Sequence, residues 1–195
     1  MTDKKDRMQS GKRTALVRTA RELFFRYGIR RVSVREICRE ARVSKMTFYR
    51  YFQNKNALVL HILNDIVTVA KGRIDDIMEK EIPFIEKLKH IIAMKIEMVE
   101  EYNRDFFKEL LDDESEAGKY LAQKRQEANE WMRKIYTDAQ MRGEIRSDIR
   151  IEFILYMMDY LRVIMKDERI HDLYPDPCDQ VKAVSNLYMY GFSNR

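Results

Sequence analysis

Between Lys45 and Phe52 the chain reads Lys-Met-Thr-Phe-Tyr-Arg-Tyr-Phe, one ammonium, one guanidinium and three hydroxyls within eight residues. Lys45, Thr47, Tyr49, Arg50 and Tyr51 are groups that donate to phosphate oxygens and base edges. Phe48 and Phe52, four apart, give the same segment an inward apolar face. Met46 lies at its exposed start. So many polar tips are more than a packing helix of this length needs. Ser44 can cap the segment, and Ser33, followed three residues later by Glu36, forms a capping box for the helix before it. Both serines stand at helix N-termini, where free backbone N–H groups attract phosphate. Arg35 lies on that earlier helix.

The surrounding pattern positions these groups. Leu16, Ala20, Leu23, Phe24 and Tyr27 recur at helical spacing, and Gly28 is placed to end that helix. Val34, Ile37, Cys38 and Ala41 form the apolar face of a short second helix, and Arg42-Val43 makes a tight turn. Asn54 can cap a long helix carrying Leu58, Ile62, Ile66, Ala70, Ile74 and Ile77. The middle pair has helix-turn-helix spacing.

Charge agrees with this division. Residues 1–60 carry 16 Lys and Arg against 5 Asp and Glu, whereas the remainder carries 21 against 27. A basic head on an acidic body implies that the head meets a polyanion. Lys4, Lys5, Arg7, Lys12 and Arg13 would form either an arm over the phosphates or minor groove, or a solvated tail. The chain has 195 residues, 45% hydrophobic and 35% charged, with 6 Gly and 3 Pro. Long stretches without a breaker indicate an all-α fold. No apolar run approaches the ~18 residues that span a bilayer, and no secretory h-region opens the chain. Cys38 and Cys178 lie far apart with no metal spacing, and His61, His90 and His171 are scattered, so neither a metal nor a cofactor is expected. These features fit a cytoplasmic protein with reduced thiols.

The stretch Ala20–Leu58, and within it V-S-K-x-T-F-Y-R-Y-F-x-N-K-x-x-L, resembles the DNA-binding domain of the TetR family of bacterial transcription regulators. The resemblance covers about the first third of the chain. It implies a homodimer, a palindromic operator, and repression relieved by a small molecule. Carried over by position, Ser33 would contact phosphate and Arg35 would reach base edges or phosphate. Lys45, Met46 and Thr47 would read bases, Tyr49 and Tyr51 would contact phosphate or thymine, and Lys55 would bind phosphate. Met46 stands where the family often has a small residue; it would either touch a thymine methyl or hold the helix slightly out of the groove.

Residues 1–55 are thus expected to form a helix-turn-helix head and 56–195 a ligand-binding and dimerisation body, with about nine helices in all. Helix four should run from Asn54 to about Glu79 and link the two. Asp148 is expected to cap helix eight, and Asp176-Pro177 to open the last helix. Helix eight is apolar on more than one face, which requires a second partner. Phe153, Met157, Leu161 and Ile164, with Val181, Val184, Leu187, Tyr188 and Phe192 of the last helix, are expected at the dimer interface. A helix buried within one subunit would show the same pattern.

The family's layout puts the effector pocket among helices four to eight. Met94, Met98, Tyr102, Phe106, Phe107, Trp131, Tyr136 and Tyr156 are candidates to line it and imply a partly apolar effector. Glu97, Glu101 and Arg125 are candidate polar anchors. Two other function classes fit the sequence less well. An enzyme would need a nucleophile–base pair, a metal cluster or a phosphate loop, and no HExxH, GxGxxG, Walker-type or GxSxG pattern occurs. An adaptor with basic amphipathic helices would leave the capped helix pair unexplained. Within the regulator class, activation and ligand-independent binding stay open.

Overall fold

The computed structural model describes residues 2–192, with side chains described for 11–190. The side chains of Lys4, Lys5, Arg7 and Phe192 therefore lie outside the described residues. Among the described residues there are ten helices and no strand: α1 (Thr2–Tyr27), α2 (Val34–Glu40), α3 (Lys45–Tyr51), α4 (Lys55–Met78), α5 (Phe84–Val99), α6 (Arg104–Leu111), α7 (Glu116–Met141), α8 (Ile151–Met165), α9 (Glu168–Leu173) and α10 (Pro177–Phe192). The count exceeds the expected nine because α9, only six residues long, has too few turns to show a periodic stripe. Helix α1 starts at Thr2, so the basic segment before Gly11 continues the helix backbone.

Side-chain caps set most helix starts. Ser33 accepts from the Glu36 amide, Ser44 from Thr47, Asn54 from Ala57, Asn103 from Phe106 and Ser115 from Gly118. Each such cap satisfies an orphan amide and contributes about 1 kcal/mol. Asp176 accepts from the Cys178 amide at 2.7 Å, opening α10 as expected. Asp148 does not cap α8. Arg150 occupies that position without a side-chain cap, and Asp148 is held by the Arg146 guanidinium at 2.7 Å. Gly28, at φ +81, ends α1 in the left-handed region that glycine tolerates. Gly118 is required for another reason: a Cβ there would lie 2.0 Å from the Asp112 carbonyl oxygen, so its absence lets α7 pack against the end of α6.

The head core joins Leu16, Ala20, Phe24 and Phe25 of α1 to Ile37 and Cys38 of α2, Phe48 of α3 and Phe52. It continues across residue 55 into Leu58, Val59, Ile62 and Leu63 of α4, and it also takes Phe106 of α6 and Ala117 of α7. A second cluster, around Phe84, Tyr136, Ala139, Ile145, Ile151 and Ile154, unites α5, α7 and α8. A third joins Val99 and Phe107 to Cys178 and Val181 of α10. Head and body therefore meet through apolar packing at α6, not through the long helix alone.

Candidate nucleic-acid interface and body cavity

Helix α3 is anchored by Phe48 and Phe52, both buried, and its opposite side is open. Lys45, Met46, Tyr49 and Arg50 are exposed, Met46 most of all at 81%. Thr47 and Tyr51 are half-buried. The Thr47 hydroxyl lies 3.0 Å from the Ser44 hydroxyl, so the cap also orients a reading side chain. The Arg50 guanidinium stacks over the Tyr51 ring at 5.1 Å, and Tyr49 meets Phe48 edge to face at 5.3 Å. These contacts restrain side chains that would otherwise lose more rotamer freedom on meeting a ligand. Ser33 and Arg35 are exposed on α2, which packs on α3. The turn between them holds Arg42 at φ +54, a left-handed conformation that few non-glycine residues adopt. Its neighbours over-determine that geometry: the Arg42 amide donates to the Arg39 carbonyl, and the Val43 amide to the Cys38 carbonyl.

Lys55 is placed differently from the other candidates. Its ammonium donates to the carbonyl oxygens of Ile29 and Val32, at 2.9 and 3.1 Å. Two of its three donors thus fasten the α1–α2 loop to the start of α4, and one is left for another acceptor.

The same loop is gripped from the body. Glu109 of α6, buried, accepts from the amides of Ile29 at 2.5 Å and Arg30 at 2.9 Å. The Asn103 side chain donates to the Arg26 carbonyl at 2.7 Å, and Arg30 pairs with Asp112 at 2.5 Å. Phe25, Tyr102 and Phe106 form a mutually packed triad with ring centroids 4.7 to 4.9 Å apart. Burial pushes the Tyr102 hydroxyl up to about 12, so it stays neutral in this packing. Sequence reasoning passed over Glu109 because an acid on an otherwise amphipathic helix reads as a solvent-facing charge.

The body holds a partly open cavity of about 390 Å³ among α4, α5, α7, α8 and α10. Four of the expected pocket residues, Met98, Tyr102, Trp131 and Tyr136, line it. The other four do not. Phe106 belongs to the head core and Phe107 to the third cluster. Met94 is buried but does not reach the wall. Tyr156 is 63% exposed and stacks on Tyr160 outside the cavity. The wall is completed by Ile74, Met78, Leu88, Ile92, Ile135, Met158 and Met165, by Lys95 and Arg162, and by Ser185.

Leu161, Val181, Val184 and Tyr188, expected at a dimer interface, also line this cavity. The Tyr188 hydroxyl donates to the Ile154 carbonyl at 2.9 Å, fixing α10 to α8 within one subunit. Burial raises the hydroxyls of Tyr136 and Tyr188 well above the ordinary range. Met157 and Ile164 are half-buried, whereas Phe153 and Leu187 are 57% and 76% exposed. Helix α8 therefore has two apolar faces. One closes the cavity, and the other presents Phe153, Tyr156, Tyr160 and Val163 to the outside; Leu187 and Tyr190 of α10 are exposed as well. The candidate anchors Glu97 and Glu101 pair instead with Arg73 and Arg21, at 2.5 and 3.3 Å. Arg125 faces a separate cleft with Tyr156, Asp159 and Tyr160.

Among the described residues no group of His, Cys, Asp and Glu is arranged to hold a metal, and no helix is long and apolar enough to cross a membrane. Residues 16–62 match the family model described as bacterial regulatory proteins, tetR family. Over 53 residues the chain is 43% identical to an uncharacterized HTH-type transcriptional regulator, YuxN, of Bacillus subtilis, a match covering 27% of this chain and 18% of that relative. The fold is similar to that of the regulatory protein TetR from Rhodobacter sphaeroides (TM-score 0.69, 19% identity, 92% of this chain and 98% of that one). It is also similar to the transcriptional regulator FadR from Bacillus subtilis, solved in complex with stearoyl-CoA (TM-score 0.66, 18% identity, 91% and 98%). The head thus matches the DNA-binding domain of the TetR family of bacterial helix-turn-helix transcription regulators, and the fold is similar to TetR-family structures along nearly the whole chain.

Proposed function

We propose that the protein is a cytoplasmic homodimeric repressor that binds a palindromic DNA operator through α2 and α3 and is released by a small molecule held in the body cavity. The observation that carries the reading is the exposed array on α3, where Lys45, Met46, Tyr49 and Arg50 point away from a core that fixes Phe48 and Phe52. Lys45, Met46 and Thr47 would read base edges; Ser33, Arg35, Ser44, Tyr49, Arg50 and Tyr51 would hold phosphate or adjacent bases. Lys55 would contribute its one remaining donor and, more importantly, the position of the loop. The dimer would form on the outer stripe of α8, where Phe153, Tyr156, Tyr160 and Val163 recur on one exposed face, since single exposed apolar side chains are common but such a stripe marks an interface. Residues 1–55 would act as the reading unit and 56–195 as the sensing and pairing unit.

Two heads must present α3 about one DNA turn apart, ~34–36 Å, to enter successive major grooves. A ligand favouring a different spacing would shift the population away from DNA. The physical link supporting this runs through α6. Tyr102 touches both the cavity and Phe25, and Glu109 holds the loop that precedes α2. Helix α4, 24 residues and about 36 Å long, is a second lever, with Ile74 and Met78 at the cavity and Lys55 at the loop. That the similar FadR binds stearoyl-CoA supports a partly apolar effector.

Fluorescence anisotropy with labelled genomic fragments tests the reading against a random-duplex competitor. Retention of particular fragments in excess competitor is the expected outcome. Binding that the competitor abolishes on every fragment would reduce the head to a basic surface.

A further inference from the structure

Lys95 is out of place in the middle of an apolar stripe. Leu88, Ile91, Ile92, Met98 and Val99 share its face of α5, and all of them line the cavity with it. Lys95 is exposed by surface area, but it lines the cavity and protein is packed densely around its ammonium, so that surface opens into the cavity. Among the described residues Lys95 makes no hydrogen bond and no ion pair. The nearby acids of the same helix face elsewhere: Glu97 is paired with Arg73, and Glu86 with Lys89. Burial pushes the Lys95 ammonium below its ordinary value, with no opposing charge to offset it. The second cation of the wall, Arg162, is by contrast held by Asp113 at 2.8 Å.

An ammonium set among apolar side chains on a cavity wall, with no acid beside it, is better accommodated when a ligand brings a counter-charge. Among the described residues the other polar groups on the wall are Arg162, Ser185, the Trp131 indole N–H and the tyrosine hydroxyls, and the Tyr188 hydroxyl donates to the Ile154 carbonyl; none of these is an acid. A neutral apolar molecule would fill the cavity and leave the lysine unmatched. A cation would add repulsion. An amphiphilic anion satisfies both features at once, its acid group on the lysine and its hydrocarbon against Leu88, Ile92, Met98 and Met158. We propose that Lys95 is the anion anchor of the effector site and that the effector is a small amphiphilic carboxylate. The proposal rests on the reading of the cavity as the effector site and supplies its ligand class.

The test uses the full-length protein without DNA, so its outcome is independent of whether release from DNA follows. Isothermal titration is run with octanoate, decanoate and dodecanoate and with the matching alcohols, on the wild type, Lys95→Met and Lys95→Arg. A charge-assisted hydrogen bond in such surroundings corresponds to about tenfold to a hundredfold in affinity. The wild type should prefer at least one carboxylate over its alcohol by that factor. Lys95→Met should lose the preference while binding the alcohol at least as well, and Lys95→Arg should retain it. Equal binding of acid and alcohol by the wild type, an unchanged preference in a folded Lys95→Met protein, or no binding of any acid would each overturn the proposal. Melting curves of the three proteins establish folding. Release of a bound fragment, measured separately, then reports on the regulatory reading: carboxylate binding without release would sink that reading and leave the anchor intact.

Discussion

The head and the body use similar apolar periodicities to opposite degrees of transparency. In the head, each apolar position has one destination, because two short helices packed on α1 around a small core leave no alternative, and the polar positions between them are the exposed array. In the body, α8 and α10 each face two ways, and residues of the same type serve different surfaces. Leu161 lines the cavity while Val163, two positions on, is open to the outside. A helix apolar all round tells that it has two partners, but not which stripe belongs to which.

The largest expected effect separates these two stripes. Leu161→Arg places a second unpaired cation in the cavity that holds Lys95 and should lower folding stability by about 2–5 kcal/mol, read by urea unfolding. Val163→Arg, on the outer stripe, should leave unfolding almost unchanged and convert the dimer to monomers in analytical ultracentrifugation. If Leu161→Arg instead gives stable monomers, the assignment of the two faces is inverted.

The junction comes next. Glu109→Ala strips two amides, the buried one of Ile29 and the half-buried one of Arg30, of their acceptor. A cost of about 2–4 kcal/mol is expected, because each orphaned group loses its desolvation compensation. Hydrogen exchange should locate the loss in the α1–α2 loop. Exchange unchanged there would mean that α6 does not hold the head.

Within the head, Lys45→Ala or Thr47→Ala should weaken binding by about 1–3 kcal/mol at particular base pairs and relax preference there alone. Equal loss on every sequence would assign both residues to the phosphates. The smallest effect belongs to Ser44→Ala, about 1 kcal/mol of stability from the lost cap of α3. Thermal denaturation measures it; a neutral result would show that α3 is held by Phe48 and Phe52 without its cap.

The sequence made most of the head legible. Ser33, Ser44 and Asn54 cap where spacing placed them, and Phe48 and Phe52 point inward as a four-residue interval requires. Lys55 was the exception, since its bonds to the Ile29 and Val32 carbonyls depend on how a loop folds back, which spacing does not encode. In the body, four of eight pocket candidates line the cavity, and four of the nine interface candidates line it as well. Residue type alone could not divide core, cavity and outer surface, because all three are built from Met, Leu and aromatic side chains. The acids expected as anchors, Glu97 and Glu101, pair with Arg73 and Arg21 on other helices, which the spacing within one helix does not encode. Helix α9 escaped because six residues make less than two turns.

The central claim is that two α3 helices on one rigid dimer read DNA together. Sequencing of genomic fragments retained by the purified full-length protein tests it most directly. The account predicts an enriched inverted repeat whose half-sites are centred about one helical turn, ~10 base pairs, or a multiple of it apart. Fragments enriched for a lone half-site, or for no shared sequence, would contradict it.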